Sequence, residues 1–248
     1  MSSLEHNTHF NSLSPNEIKP TIFDSRFFFW EIIFCKIYNY RMFDFDNSIF
    51  KKLCVVSAPS GAGKTSLIKK ILKDKNISVC ISDTSRKPRV GEANGIDYNF
   101  ISSDEFQDKI KNEKYLEHAM VHGNFYGTLI DSVVKLLEDD IIVILEIDFQ
   151  GAEIIKKKFP LSRSIFILPP SFEILEKRLR ERGTDEEEII IERLENAKIE
   201  LSKAKNYDYI IVNDDFAEAE KKLHSFCMDK DLSFDDKIRK EPLIHFDF

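Results

Sequence analysis

Short apolar runs alternate along this chain with longer stretches whose apolar residues recur every three to four positions. Leu53–Ser57 is the first run, rich in β-branched residues, and reads as a buried strand. Beyond a small-residue loop, Leu67, Ile68, Ile71 and Leu72 fall on one face of a helix. Residues 77–81 predict a second buried strand, and 97–100 a further one after the Asn94-Gly95 turn signal. Ser103-Asp104 can cap a short helix running through Phe106 and Ile110. Residues 117–128, with His118, His122, Gly123, Asn124, Tyr126 and Gly127, are too polar for a core strand. Residues 141–148 form the most strand-like run. It is continuously apolar, as in a parallel strand covered on both faces, with Glu146 and Asp148 at its end. Residues 164–168 predict another strand, closed by Pro169-Pro170. A charged helix follows with Leu175 and Leu179 on one face. Gly183-Thr184 breaks it, and 187–205 resumes with Ile190, Leu194, Ala197 and Leu201 in register. Tyr209–Val212 is the last strand and 217–226 a closing helix. Strands alternating with helices imply an α/β fold with a doubly wound parallel sheet. Ligands in such folds bind beyond the carboxyl ends of the strands, so residues 58–65, 82–86 and Asp148 are expected to share one crevice.

The totals narrow the function classes. With 248 residues and 42% hydrophobic content, the chain can bury a full core. A net charge of −7 argues against a general nucleic-acid binder. No apolar run reaches the length of a membrane span, and the nearest candidate, 27–38, carries Glu31 and Lys36. That stretch lacks a small-residue cleavage site, and Glu5, Glu17, Asp24 and Glu31 oppose a transit peptide. Cys35, Cys54, Cys80 and Cys227 are scattered, without metal-ligand spacing, and read as reduced thiols of a cytoplasmic protein. Residues 1–50 stand apart. The first twenty are polar and read as disordered, and an aromatic-rich segment follows, with Met42 as an alternative start. The tail 227–248 carries no signal, and oligomeric state is left open.

The first candidate chemistry is anion capture. Ala58-Pro59-Ser60-Gly61-Ala62-Gly63-Lys64-Thr65-Ser66 lies between a strand and a helix and has P-loop spacing, with Ala58 in the first glycine position. Backbone N–H groups of such a loop converge on phosphate oxygens at the positive end of the helix dipole. Lys64 would reach the β/γ-phosphates and Thr65 would ligate Mg²⁺. Arg86 and Arg89 form a basic fork suited to a second phosphate, with the Ser82, Tyr98 and Tyr126 hydroxyls nearby. Glu146 and Asp148 either hold Mg²⁺ through water, Asp148 the more strongly expected of the two, or cap a helix. By spacing alone, Arg178, Arg182 and Arg193 read as the solvated face of a charged helix pair.

From 51 to about 226 the chain closely resembles guanylate kinases of the bacterial type. The resemblance rests on Ser60-Gly61-Ala62-Gly63-Lys64-Thr65, the run from Thr84 to Glu92, Gly95-x-Asp97-Tyr98-x-Phe100, Gly123-Asn124-x-Tyr126-Gly127-Thr128, Glu146-Ile147-Asp148-x-Gln150-Gly151, Arg182-Gly183 and Ile211-Val212-Asn213-Asp214-Asp215. It implies a P-loop kinase core, a GMP-binding insert at about 84–130 and a helical lid at about 171–204. It further implies γ-phosphoryl transfer from ATP to GMP with Mg²⁺, giving ADP and GDP. Residues 58–66 and Asn213 would bind ATP. Ser82, Arg86, Arg89, Tyr98 and Tyr126 would hold the GMP phosphate, while Glu117, Thr128 and Asp148 would read guanine. With Lys64, the arginines Arg178, Arg182 and Arg193 become catalytic, the opposite of what their spacing alone suggests. Two departures stand out: Ala58 for glycine, and Asp83, whose charge is expected to sit close to Ser82. Two other readings share parts of the pattern. A guanylate-kinase-like binding module would have a degraded P-loop, and a sugar-phosphate kinase would not need Glu117 and Thr128.

Overall fold

The computed structural model describes residues 47–121, 123–181 and 186–228. The N-terminal extension before residue 47, the tail beyond 228, His122, and Arg182 with the Gly183-Thr184 break lie outside the described residues. A 3₁₀ turn over Asn47–Lys52 leads in, and the Phe50 ring packs 4.4 Å from that of Phe159.

The main sheet is built from β1 (Leu53–Ser57), β2 (Ile77–Val79), β7 (Ile142–Glu146), β8 (Arg163–Leu168) and β9 (Tyr209–Val212), in the order β2-β7-β1-β8-β9. Each adjacent pair is parallel. β1 and β8 are buried along their full length, as their largely apolar or small side chains require. On one face, Cys54, Val56, Ile144, Ile165 and Ile167 pack with Leu67, Ile68 and Ile71 of α1 (Lys64–Ile71). Ala219, Leu223 and Phe226 of α7 (Phe216–Met228) close the same cluster. On the other, α4 (Phe149–Lys158) lies against β1 and buries Ala152 and Ile155. The arrangement is the doubly wound parallel sheet expected from the alternation.

A second sheet has the order β4-β3-β6-β5, formed by β3 (Asp83–Thr84), β4 (Asn99–Phe100), β5 (Tyr115–Val121) and β6 (Asn124–Leu129). Of the run 117–128, too polar for a core strand, residues 117–121 and 124–128 are strands of this second sheet and not of the main one. β5 and β6 form an antiparallel hairpin whose turn uses Gly123 at φ 72°. Its apolar support comes from α2 (Ser103–Lys111), where Phe106 stacks on Tyr115 and Phe125 at 4.4 and 5.2 Å. Ser102 caps α2 by accepting from the Glu105 N–H, one residue before the expected cap. The strands expected at 77–81 and 97–100 are shorter than predicted, Ile77–Val79 and Asn99–Phe100.

Two helices go beyond the sequence expectations: α3 (Ile130–Glu138), which buries Ile130, Val133 and Leu137, and α4. The broken charged helix appears as α5 (Phe172–Glu181) and α6 (Glu187–Lys203), which share a small core of Leu175, Leu179, Ile190 and Ala197.

Candidate active site

β1 delivers the chain into the P-loop at the carboxyl edge of the sheet. Gly61 and Gly63 sit at φ 95° and 93°, a region that costs any other residue strain. Gly63 is the N-cap of α1, and no side chain caps that helix. The first backbone N–H groups of α1 are thus left for a ligand, at the end where the dipole favours an anion. The loop is held from two sides. Asn213, almost fully buried after β9, donates from Nδ2 to the Ala62 carbonyl at 2.7 Å. Leu175 and Leu179 of α5 pack so closely that a Cβ at Gly61 would stand 3.1 and 3.3 Å from them. Ala58 packs against the main core, so the departure from glycine is accommodated.

Lys64 and Thr65 open α1 facing Glu146, the last residue of β7. The Thr65 hydroxyl donates to Glu146 Oε1 at 2.5 Å, and Lys64 Nζ lies 3.9 Å from the same oxygen. The register places Glu146 beside Val56, one residue before β1 ends, which brings its carboxylate to the P-loop. Asp148 is turned elsewhere. It caps α4 by accepting from the Gly151 N–H at 2.9 Å and from the Gln150 amide at 3.1 Å. The capping alternative is therefore what Asp148 does in this structure, and the carboxylate against Thr65 is Glu146.

Glu117 stands on β5, 4% exposed, with Oε1 accepting from the Thr128 hydroxyl at 2.6 Å across the hairpin. Ser82 Oγ lies 3.2 Å from the Thr128 hydroxyl, so three polar side chains line one buried wall. Burial pushes the Glu117 carboxyl up to about 7. The Thr128 hydrogen bond opposes this, the Asp148 charge adds to it, and Lys158 pulls it back. The approach is close: a Cβ on Gly151 would fall 2.7 Å from Glu117 Oε2.

Arg86 reaches toward Tyr126 and Tyr98. Its Nε donates to the Tyr126 hydroxyl at 3.1 Å, and its guanidinium lies 5.5 Å from the Tyr98 ring centre and 5.7 Å from that of Phe100. Burial raises the Tyr98 hydroxyl well above the ordinary tyrosine range, so it stays a neutral donor. Arg89 is exposed, and its backbone N–H donates to the Glu92 carboxylate. Arg178 of α5 donates from Nη2 to the Asn213 carbonyl at 3.3 Å, beside the P-loop clamp. Arg193 is half-buried on α6.

The expected charge of Asp83 beside Ser82 does not face the site. Asp83 is wholly buried, receiving the Lys109 ammonium and the Tyr115 hydroxyl on Oδ2, both at 2.9 Å, and the Asn99 amide on Oδ1 at 3.0 Å. Strand alternation turns it away from its neighbour. Two carboxylates take places in the site that sequence reasoning gave them no role in. Glu92, the last residue of the Thr84–Glu92 run, grips Arg86. Glu200 of α6 is pushed up to about 7 by burial, with Lys64 opposing and Asp148 adding. Lying seven residues after Arg193, it projects from the same face of α6.

A P-loop with its lysine and hydroxyl beside a carboxylate, and a separate polar pocket carrying its own arginine, define a P-loop phosphotransferase with a built acceptor site. A guanylate kinase family profile matches residues 50–230. The chain is 49% identical over 177 residues to the guanylate kinase of Rickettsia felis, covering 71% of this chain and 92% of that one. It is also 49% identical over 170 residues to the Escherichia coli K12 guanylate kinase, covering 67% and 82%. The crystal structure of guanylate kinase from Anaplasma phagocytophilum matches with a TM-score of 0.60 and 34% identity, over 71% of this chain and 83% of that one. The chain belongs to the guanylate kinase family.

Proposed function

We propose that this protein transfers the γ-phosphoryl group of ATP to GMP, giving ADP and GDP. The observation that carries this reading is the buried Glu117–Thr128 pair, in a chain with an intact P-loop. An ionised carboxylate accepts only, and guanine's Watson–Crick edge offers two adjacent donors, N1–H and the exocyclic amine. Family membership supports the same assignment. Residues 58–66 take the ATP phosphates and Asn213 secures that loop. Ser82, Arg86, Arg89, Tyr98 and Tyr126 hold the GMP phosphate, and Glu117, Thr128 and Asp148 read guanine.

The chemistry asks little of proton transfer. A phosphate monoester's second pKa is near 6, so the attacking oxygen of GMP is largely ionised at neutral pH and no general base is required. The protein must align two polyanions and offset their repulsion. Lys64 meets the β/γ-phosphates. Arg178 sits within hydrogen-bonding distance of the Asn213 carbonyl at the loop's back, and with Arg182 and Arg193 it supplies charge to the group in flight.

Mg²⁺ takes oxygen ligands and keeps several waters, using one or two protein groups plus substrate phosphates. The Thr65 hydroxyl and the Glu146 carboxylate, 2.5 Å apart at the helix N-terminus, fit that donor set. Thr65 would bind it directly, and Glu146 and Asp148 would act through water. Bound there, it would neutralise charge developing between the β- and γ-phosphates.

No helix among the described residues is long and apolar enough to cross a membrane. Cys54, Cys80 and Cys227 are free and buried, which supports a reducing compartment such as the cytoplasm. ADP release with ATP and a panel of acceptors tests the function. GMP is expected to be turned over and AMP, CMP, UMP and ribose 5-phosphate to be poor. Equal turnover of AMP, or no turnover of GMP by folded protein, would end this reading.

A further inference from the structure

A guanidinium has five N–H donors in a rigid fork, and Arg86 has committed most of them before any ligand arrives. Nε donates to Tyr126. Nη1 donates to the Lys87 carbonyl at 2.8 Å and to Glu92 Oε2 at 2.9 Å, and Nη2 donates to Glu92 Oε1 at 2.9 Å. The two side chains are only 13% and 18% exposed. Glu92 Oε2 also accepts from the Arg89 N–H at 2.7 Å, so one carboxylate ties both arginines of the fork together. By contrast Arg89 itself is exposed.

We propose that Glu92 is a positioning residue for the GMP-phosphate site. It fixes the Arg86 fork in advance, against Tyr126 and over Tyr98, and aims the remaining Nη2 N–H at the phosphate. The inference rests on the reading of Arg86 as a phosphate ligand. Its physical basis is pre-organisation. A free arginine would lose rotamer freedom on binding, whereas a bidentate carboxylate has already taken that loss in the folded state. The division of labour follows. Arg86 supplies a directed donor whose charge is partly balanced by Glu92, and Arg89 supplies the less compensated charge.

The test compares Glu92→Gln, Glu92→Ala and Arg86→Ala in steady-state kinetics, with guanosine as an inhibitor that lacks the phosphate. Glu92→Gln should raise KM for GMP about tenfold, the worth of a charge-assisted hydrogen bond, and Glu92→Ala somewhat more. For both, kcat is expected to stay within about threefold, KM for ATP to stay unchanged, and the guanosine inhibition constant to stay at its wild-type value. Arg86→Ala should raise KM for GMP at least as much, and adding Glu92→Gln to it should cost little more, since the two act as one unit. An unchanged KM for GMP in Arg86→Ala would overturn the phosphate reading itself. A clear effect of Arg86→Ala with none of Glu92→Gln would leave that reading standing and overturn the positioning role. A guanosine inhibition constant that rises in step with KM for GMP would show that Glu92 only holds the loop together, which also overturns it. Thermal melting of each variant keeps these outcomes apart from misfolding.

Discussion

Replacing Glu117 by glutamine should weaken GMP turnover while making the empty protein more stable at alkaline pH. The carboxyl is 4% exposed and is pushed from an ordinary glutamate's 4.5 up to about 7, chiefly by burial. Its proton affinity in the folded state therefore exceeds that in the unfolded chain. Between pH 4.5 and about 7 the folded protein holds more protons, so this group's contribution to stability falls as pH rises through that window and is constant above it. At about 1.4 kcal/mol for each tenfold change in proton affinity, the ionised group costs at most roughly 3 kcal/mol above pH 7. Glutamine removes that cost and can still accept from Thr128. The melting temperature at pH 8 should rise by several degrees, with little change near pH 4.5. Function moves the other way. Glutamine sets an amine against a guanine donor, and kcat/KM for GMP should fall by about 1.5–3 kcal/mol, with KM for ATP barely altered. In the wild-type protein, only the ionised form accepts both guanine donors, so affinity for the base should drop about tenfold per pH unit below 7 and level off above it. GMP's own phosphate titrates near 6, so guanosine inhibition is the cleaner assay. The groups that act on Glu117 are the Thr128 hydroxyl, Asp148, Lys158, the Cys80 thiol and the Tyr115 hydroxyl. Guanosine binding independent of pH from about 6 to 8 in the wild type, or a slope that persists in the glutamine variant, would refute this account.

Other expectations follow from single contacts. Lys64→Ala should slow kcat by about a hundredfold or more, roughly 3 kcal/mol, and near-normal turnover by folded protein would exclude the kinase mechanism. Gly151→Ala places a methyl 2.7 Å from Glu117 Oε2 and 3.2 Å from Ile147 Cδ1, so KM for GMP should rise with KM for ATP unchanged. Equal effects on both substrates would mean that α4 had moved as a whole. Asp83→Asn leaves Lys109 without its buried counter-charge and should lower unfolding free energy by about 1–3 kcal/mol, measured in urea, without abolishing turnover. A variant with wild-type stability but lost GMP affinity would instead put Asp83 in the site.

Much of this protein is determined by its sequence alone, because the relevant physics is local. A strand, a loop with Gly61 and Gly63, and a helix opening on Lys64-Thr65 specify an anion cradle without reference to the rest of the chain. Apolar periodicity likewise specifies the main parallel sheet and both charged helices, since burial of a face needs only the right spacing. What tertiary structure decided is which polar groups meet. The lateral register of β7 on β1 pairs Glu146 with Val56 and carries it to Thr65, while Asp148, two residues on, turns to cap α4. Sequence adjacency suggested that Asp83 would burden Ser82. Strand alternation instead buries it against Lys109, Tyr115 and Asn99, groups 16 to 32 residues away. The hairpin of β5 and β6 finds its apolar support in Phe106 of α2, stacked on Tyr115 and Phe125, and a window on the sequence contains no such partner. Hydrogen-bond partners are a property of three-dimensional proximity, whereas the periodicities that place helices and strands are written along the chain.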